Sequence, residues 1–217
     1  MEEKDLTKKE DFIYAYVYRY GFKFKDTAIC EERMKYINND ELGDEFLYEK
    51  IDVWRLLETL IREKLGIELN DLNPRRLETG KWVVDKYYIS LSHSGSYLMA
   101  GVSNKPIGVD VQRISEGRAG RALTEMCKEE REYYEKRDPW ESLKCHSQKE
   151  AVYKLYFGEE MVTWEDKRKK INSLKYGDAL VSYEIDEYYC SICSELIKKG
   201  VYVDISTNSN DKLIPCN

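Results

Sequence analysis

The chain has 217 residues, 42% of them hydrophobic and 35% charged, with a formal net charge of −6. That apolar content is too high for a disordered chain, and the length suits one domain or two small ones with a real core. The acidic balance argues against broad nucleic-acid binding, and no apolar run of about 18 residues is present to span a membrane. The segment from Met1 to Asp11 is charged rather than apolar, so neither a secretory leader nor a membrane anchor is expected and the default location is the cytoplasm.

In chain order, Phe12 to Tyr20 is rich in aromatic and β-branched residues up to Gly21 and predicts a strand. Leu47, Ile51, Trp54, Leu57, Ile61 and Leu65 recur at steps of three and four and predict a helix, with Gly66 as its C-terminal cap. Loops at Asn73-Pro74 and Thr79-Gly80 precede short strands at Trp82 to Val84, Tyr87 to Leu91 and Tyr97 to Val102. Lys105-Pro106 leads into a strand at Ile107 to Val111. A helix is expected over Arg118 to Arg137, stopped by Asp138-Pro139, and Trp140 opens another. Strands return at Ala179 to Ile185 and Tyr188 to Cys193, and the lysine-rich segment Met161 to Lys175 reads as a solvated loop or short helix. The expected fold class is α+β, with two halves, 1–104 and 105–217, each a small mainly antiparallel sheet packed with a long helix.

Six cysteines, Cys30, Cys127, Cys145, Cys190, Cys193 and Cys216, lack the dense spacing of a secreted disulfide scaffold and are expected to be reduced. Cys190 and Cys193 have zinc-ligand spacing, but no second pair or nearby histidine completes a site, so both are expected to be ordinary strand residues.

The residues that carry chemistry cluster elsewhere. In Gly108-Val109-Asp110-Val111-Gln112, alternation puts Asp110 and Gln112 on one face and the valines on the other. A carboxylate in an apolar strand persists most easily when a cation or donor meets it, and a hard ion such as Mg²⁺ prefers oxygen ligands; the competing reading is a solvent-facing acid at a strand end. On the helix opened by Trp140, positions 140, 143, 147, 151 and 155 form an apolar or small stripe, edged by His146, Glu150 and Lys154. The bland alternative there is an exposed Glu150 to Lys154 pair. Ser92-His93-Ser94-Gly95 suits phosphate oxygens better than a nucleophilic triad, and G-x-S-x-G, G-x-x-x-x-G-K-[ST] and G-x-G-x-x-G are all absent.

Taken in order, Gly80-Lys81, Leu91-Ser92-His93-Ser94, Gly108-Val109-Asp110-Val111 and Lys149-Glu150-Ala151 with Lys154 resemble the 4'-phosphopantetheinyl transferase superfamily, in its monomeric surfactin-synthetase-activating branch. The resemblance covers Gly80 to Lys154 well and the ending Tyr183 to Cys193 loosely, while Met1 to Leu69 agrees mainly in length and its central helix. It implies two pseudo-symmetric α+β halves gripping coenzyme A. It further implies that Asp110 and Glu150 ligate Mg²⁺, or Mn²⁺, with the coenzyme A pyrophosphate, and that Ser92, His93, Lys149 and Lys154 contact phosphates. Lys81 and Arg75 would lie beside the adenine and its ribose phosphate. The implied reaction moves 4'-phosphopantetheine from coenzyme A to a serine of an acyl or peptidyl carrier protein and releases 3',5'-ADP, with Glu150 taking the serine proton and Lys154 and His93 stabilising charge on the leaving phosphate. Three positions depart from the family pattern. Gln112 stands where many relatives carry an acid, and would serve the metal through its carbonyl oxygen or a bound water. His146 replaces a common tryptophan, and Trp82 a common proline. The alternative reading is a coenzyme A-binding relative without turnover.

Overall fold

A computed structural model describes residues 10–19, 31–37, 44–156, 166, 169, 171, 177–208 and 212–216. Cys30 and most of the segment 161–175 therefore lie outside the described residues. Strand β1 (Ile13–Arg19) is followed by helices α1 (Glu31–Ile37) and α2 (Asp44–Leu65). The short strands β2 (Arg75–Arg76) and β3 (Trp82–Val83) pair with each other, and β4 (Tyr88–Ser94), β5 (Tyr97–Ser103) and β6 (Gly108–Arg113) come next. Helices α3 (Glu116–Glu125), α4 (Lys128–Tyr134) and α5 (Pro139–Tyr156) lead to β7 (Leu180–Ile185), β8 (Tyr188–Cys193), α6 (Glu195–Lys198), β9 (Val203–Thr207) and β10 (Ile214–Pro215). The chain is thus a mixed α+β protein, and no helix among the described residues is long and apolar enough to cross a membrane.

Two four-stranded sheets organise it, in the orders β4-β5-β1-β9 and β10-β7-β8-β6. Alternation along β1 shows how they stack. Tyr16 joins a core formed with Trp54, Leu57, Leu60 and Ile61 of α2, whereas Ile13, Ala15 and Val17 join a second core with Val109, Val111, Cys190 and Ile192. The first sheet is therefore buried on both faces, and its β5 has no exposed residue. On the far side of the second sheet, Ala151, Val152 and Leu155 of α5 pack with Cys193. The layers run α2, first sheet, second sheet, α5. Cys190 and Cys193 fall on opposite faces of β8, in different cores, so their sulfurs cannot converge on one ion. The described cysteines, Cys127, Cys145, Cys190, Cys193 and Cys216, are free thiols.

The 3.6-residue stripe of α2 is as expected, and the helix ends where Gly66 adopts φ +68°. The helix expected over 118–137 is instead two. Met126 leaves α3 in an extended conformation with ψ 154°, and Cys127 caps α4 in a box with Glu130, whose carboxylate accepts the Cys127 N–H at 3.4 Å. This is the serine-or-threonine capping box with a thiol in the hydroxyl position. The Arg131 guanidinium then donates to the carbonyls of Leu123 at 3.0 Å and Thr124 at 3.1 Å, satisfying the open end of α3. Strand β9 was not expected. It runs parallel to β1, so the chain beyond residue 105 contributes to both sheets.

Glu58, 6% exposed in α2, accepts the backbone N–H of Leu69 at 3.1 Å. Burial pushes its carboxyl from the ordinary 4.5 up to about 7, against the lowering effect of the Leu69 bond and with the help of neighbouring Glu68. Because the folded value lies above the unfolded one, the contribution of this group to stability is fully present below about pH 4.5 and is lost as pH rises through about 7. Glu58→Gln keeps the acceptor and removes the ionisation. It is expected to raise Tm by about 2–4 °C at about pH 8, the effect of about 1 kcal/mol in a chain of this size, and to leave it nearly unchanged at about pH 5. Thermal melts at the two pH values check this.

Candidate functional site

The edge strands β4 and β6 belong to different sheets, yet side chains stitch them together. Ser90, Ser92 and Ser94 alternate along β4, so their hydroxyls point the same way. They accept the backbone N–H groups of Val109 at 3.0 Å, Val111 at 3.2 Å and Arg113 at 2.9 Å. Each of these amides lies on the edge of β6 away from β8 and would otherwise be an orphan donor in a buried seam. The serines of the S-H-S motif are thus turned inward, and Ser92 is only 8% exposed. Its proton goes to Asp110 Oδ1 at 2.9 Å. Ser92 therefore acts on the site through Asp110, and the exposed His93 lies on the opposite face of β4, the one it shares with Ile89 and Leu91.

Asp110 itself is 2% exposed, which sets aside the solvent-facing alternative. Oδ1 also accepts from the Lys154 ammonium at 2.9 Å, and the same ammonium donates to the Val109 carbonyl at 2.9 Å. Oδ2 accepts from Gln112 Nε2 at 3.1 Å, so Asp110 and Gln112 do share a face. The second atom of the Gln112 amide, Oε1, accepts from Arg118 Nη1 at 3.0 Å.

What brings α5 this close to β6 is Gly108. A Cβ at this position would stand 1.9 Å from the Ala151 carbonyl oxygen and 2.8 Å from the Leu155 nitrogen, both backbone atoms that cannot rotate away. The glycine of one motif and the alanine of another are thus in direct contact, and this contact sets Lys154 against Asp110. Helix α5 starts cleanly for the contact because Pro139 is its first residue and Asp138 caps it, accepting the Trp140 N–H at 2.9 Å. Glu150 lies one turn before Lys154 on the same side of α5.

Lys154 has a second aspect. With Tyr153 it lines a cleft of about 280 Å³ whose other walls are Thr79 to Trp82 and Ile89 to Leu91. Lys81 also borders a neighbouring cleft of about 450 Å³ with Arg75, Lys86, Tyr87 and Tyr88. Gly80-Lys81, the Ile89 to Leu91 stretch of β4 and the end of α5 thus meet around one concave surface with a cation on each side and an aromatic or aliphatic floor, a form suited to a ligand that is part phosphate and part planar ring. Arg75 is ion-paired with Asp85 at 2.7 Å on the rim.

Two polar residues of α5 meet the neighbouring helices. Lys149 is ion-paired with Glu130 of α4, and His146 Nδ1 lies 3.3 Å from Glu125 of α3. These contacts tie α5 to the α3 and α4 layer. Two side chains that matter to the geometry were not anticipated. Ser90 was readable from the period-two spacing of Ser90, Ser92 and Ser94. Arg118 has no motif signal at all.

The residues present fit a divalent ion in one specific way. Among the described residues no three His, Cys, Asp or Glu side chains gather on one point, so an ion bound to Asp110 would complete its shell largely with ligand and water oxygens, the usual habit of Mg²⁺. Asp110 Oδ2 has one protein donor and keeps a lone pair for that purpose.

No protein-family model matches the chain. Over 103 residues, 45% of this chain, it is 28% identical to 4'-phosphopantetheinyl transferase gsp of Aneurinibacillus migulanus. The match is distant. The aligned region spans 41% of that protein's length, and the relative's printed name agrees with the family that the four motifs resemble.

Proposed function

We propose that this chain transfers 4'-phosphopantetheine from coenzyme A to a serine hydroxyl of an acyl or peptidyl carrier protein, releasing 3',5'-ADP. The observation that carries this reading is that Lys154, whose ammonium meets Asp110, also lines the cleft bordered by Gly80-Lys81. In this reading the halves 1–104 and 105–217 hold coenzyme A between them, with Lys81 and Arg75 on the adenosine side. The carrier serine oxygen forms a bond to the phosphorus that bears pantetheine, the bond from that phosphorus to the 3',5'-ADP oxygen breaks, and the serine proton passes to Glu150 directly or through water. Lys154 and His93 stabilise the negative charge that gathers on the departing phosphate. Asp110 and Glu150 are the residues that would hold Mg²⁺ or Mn²⁺, which when bound neutralises charge on the diphosphate. Ser92 and Gln112 keep the Asp110 carboxylate oriented, and the ion pair to Glu130 makes Lys149 the weakest of the phosphate-contact candidates.

The test is to incubate the protein with coenzyme A, Mg²⁺ and a panel of apo carrier proteins and to weigh the carriers intact. A mass gain of one phosphopantetheine on at least one carrier is expected. Carriers that stay unmodified while coenzyme A binds tightly would select the alternative, a coenzyme A-binding module without turnover, a reading to which the neutral Gln112 lends some support. No binding of coenzyme A with or without Mg²⁺ would overturn both.

A further inference from the structure

We propose that Arg118 is an additional phosphate-binding residue of this site, presented by Gln112, and that the two together lessen the dependence of ligand binding on a metal ion. The inference rests on the transferase reading and deepens it, since Arg118 belongs to none of the four motifs.

The orientation of the Gln112 amide is unambiguous. A carboxylate only accepts hydrogen bonds and a guanidinium only donates them. Gln112 lies between one of each, so its Nε2 must face Asp110 Oδ2, at 3.1 Å, and its Oε1 must face Arg118 Nη1, at 3.0 Å. Lys154, on the other oxygen of Asp110 at 2.9 Å, completes a chain with a cation at each end. A glutamate at position 112 would break this chain at one link. It would set an acceptor against Asp110 Oδ2, a repulsive contact until a cation lies between them, and it would neutralise Arg118.

Glutamine has the opposite consequences. Asp110 is held on Oδ2 by a hydrogen bond that needs no metal. The half-buried Arg118, in the first turn of α3, keeps its whole charge, because its partner is a neutral carbonyl oxygen. A guanidinium so placed, with a planar fork of further N–H groups, is the side chain best matched to phosphate oxygens, and partial burial strengthens it relative to a surface arginine. The charge count follows. Lys154 offsets Asp110, and Arg118 adds a further positive charge at the other end of the chain of contacts, whereas an acid at 112 would cancel that charge and leave the site more dependent on a divalent ion to accept a diphosphate. This chain should therefore hold coenzyme A with less help from the metal than a relative carrying the acid.

The experiment is calorimetric titration of coenzyme A into the full chain, once in EDTA and once in Mg²⁺. Wild type is expected to bind in both. Arg118→Gln is expected to weaken binding in EDTA by about tenfold or more, the effect of one hydrogen bond to a charged group, and Arg118→Lys to recover part of the loss. Gln112→Glu is expected to bind poorly in EDTA and to regain affinity on addition of Mg²⁺ by a larger factor than wild type does. Circular dichroism checks that each variant is folded; should Arg118→Gln unfold, Arg118→Lys and Gln112→Glu carry the test. Binding by Arg118→Gln within about twofold of wild type in EDTA, or a Gln112→Glu variant indifferent to EDTA, overturns the proposal. The same titration with inorganic pyrophosphate separates the two readings. Pyrophosphate bound by wild type and lost in Arg118→Gln, with coenzyme A ignored, keeps the phosphate site and removes the transferase reading; no binding of either ligand removes both.

Discussion

Asp110→Ala is expected to lower carrier modification by about 10²- to 10³-fold, the scale seen when a preorganised electrostatic group is deleted, and its effect on stability should be smaller than that of Lys154→Met. The asymmetry comes from what each change leaves behind. The Asp110 side chain is 3% exposed and that of Lys154 27%. Without Asp110, the ammonium retains the Val109 carbonyl and can swing toward solvent in the cleft. Without Lys154, a buried carboxylate keeps only Ser92 and Gln112 as donors and has no counter-charge, which in buried pairs costs about 3–5 kcal/mol. The double change Asp110→Asn with Lys154→Met removes both charges and should recover most of that stability while remaining inactive. Chemical denaturation and carrier mass spectrometry on the three variants separate the structural role of the pair from its chemical one. Stability losses in the opposite order would show that Asp110, not Lys154, is the group the seam cannot lose.

Gly108→Ala is expected to destabilise the protein by about 3 kcal/mol or more, at the upper end for an overpacked core, and to lower Tm by roughly 6–12 °C. The new methyl would lie 1.9 Å from the Ala151 oxygen, so α5 must lift from β6. Lifting α5 separates Lys154 from Val109 and Asp110, so transfer should fall even at temperatures where the variant is folded. Gly117→Ala is the matched control. Its Cβ would meet nothing within 4 Å, it lies in α3, and alanine favours helix by about 1 kcal/mol; its Tm should hold or rise. Calorimetry on the two variants checks the pair.

The contrast between these glycines also shows what was legible in the sequence. Gly108 was visible as part of a motif, but its reason was not, because the atoms that exclude a side chain belong to Ala151 and Leu155, on a helix distant in sequence. The face shared by Asp110 and Gln112 followed from strand alternation and is present. The burial of Asp110 did not follow, since the donors that make it tolerable, Ser92 and Lys154, lie 18 and 44 residues away. Strand β4 runs to Ser94, past the expected end at Leu91, and the spacing of two in Ser90, Ser92 and Ser94 is itself the signal of a polar seam. The break between α3 and α4 was missed because neither glycine nor proline marks it; the cap is a cysteine. Strand β9 pairs with β1 across most of the chain, and its few residues carry no local sign of that partner. Helices α2 and α5, by contrast, were readable from apolar spacing and end signals, since those act within a few turns.

The central claim is that Asp110 and Glu150 act together on the diphosphate of coenzyme A beside Lys154. A crystal structure of the chain with coenzyme A and Mg²⁺ tests it most directly. One ion with an oxygen of each carboxylate at about 2.0–2.1 Å, a diphosphate oxygen in the same shell and the Lys154 ammonium within hydrogen-bond reach of phosphate is the expected result. A diphosphate bound away from Lys154, or an ion held by only one of the two carboxylates, would contradict it.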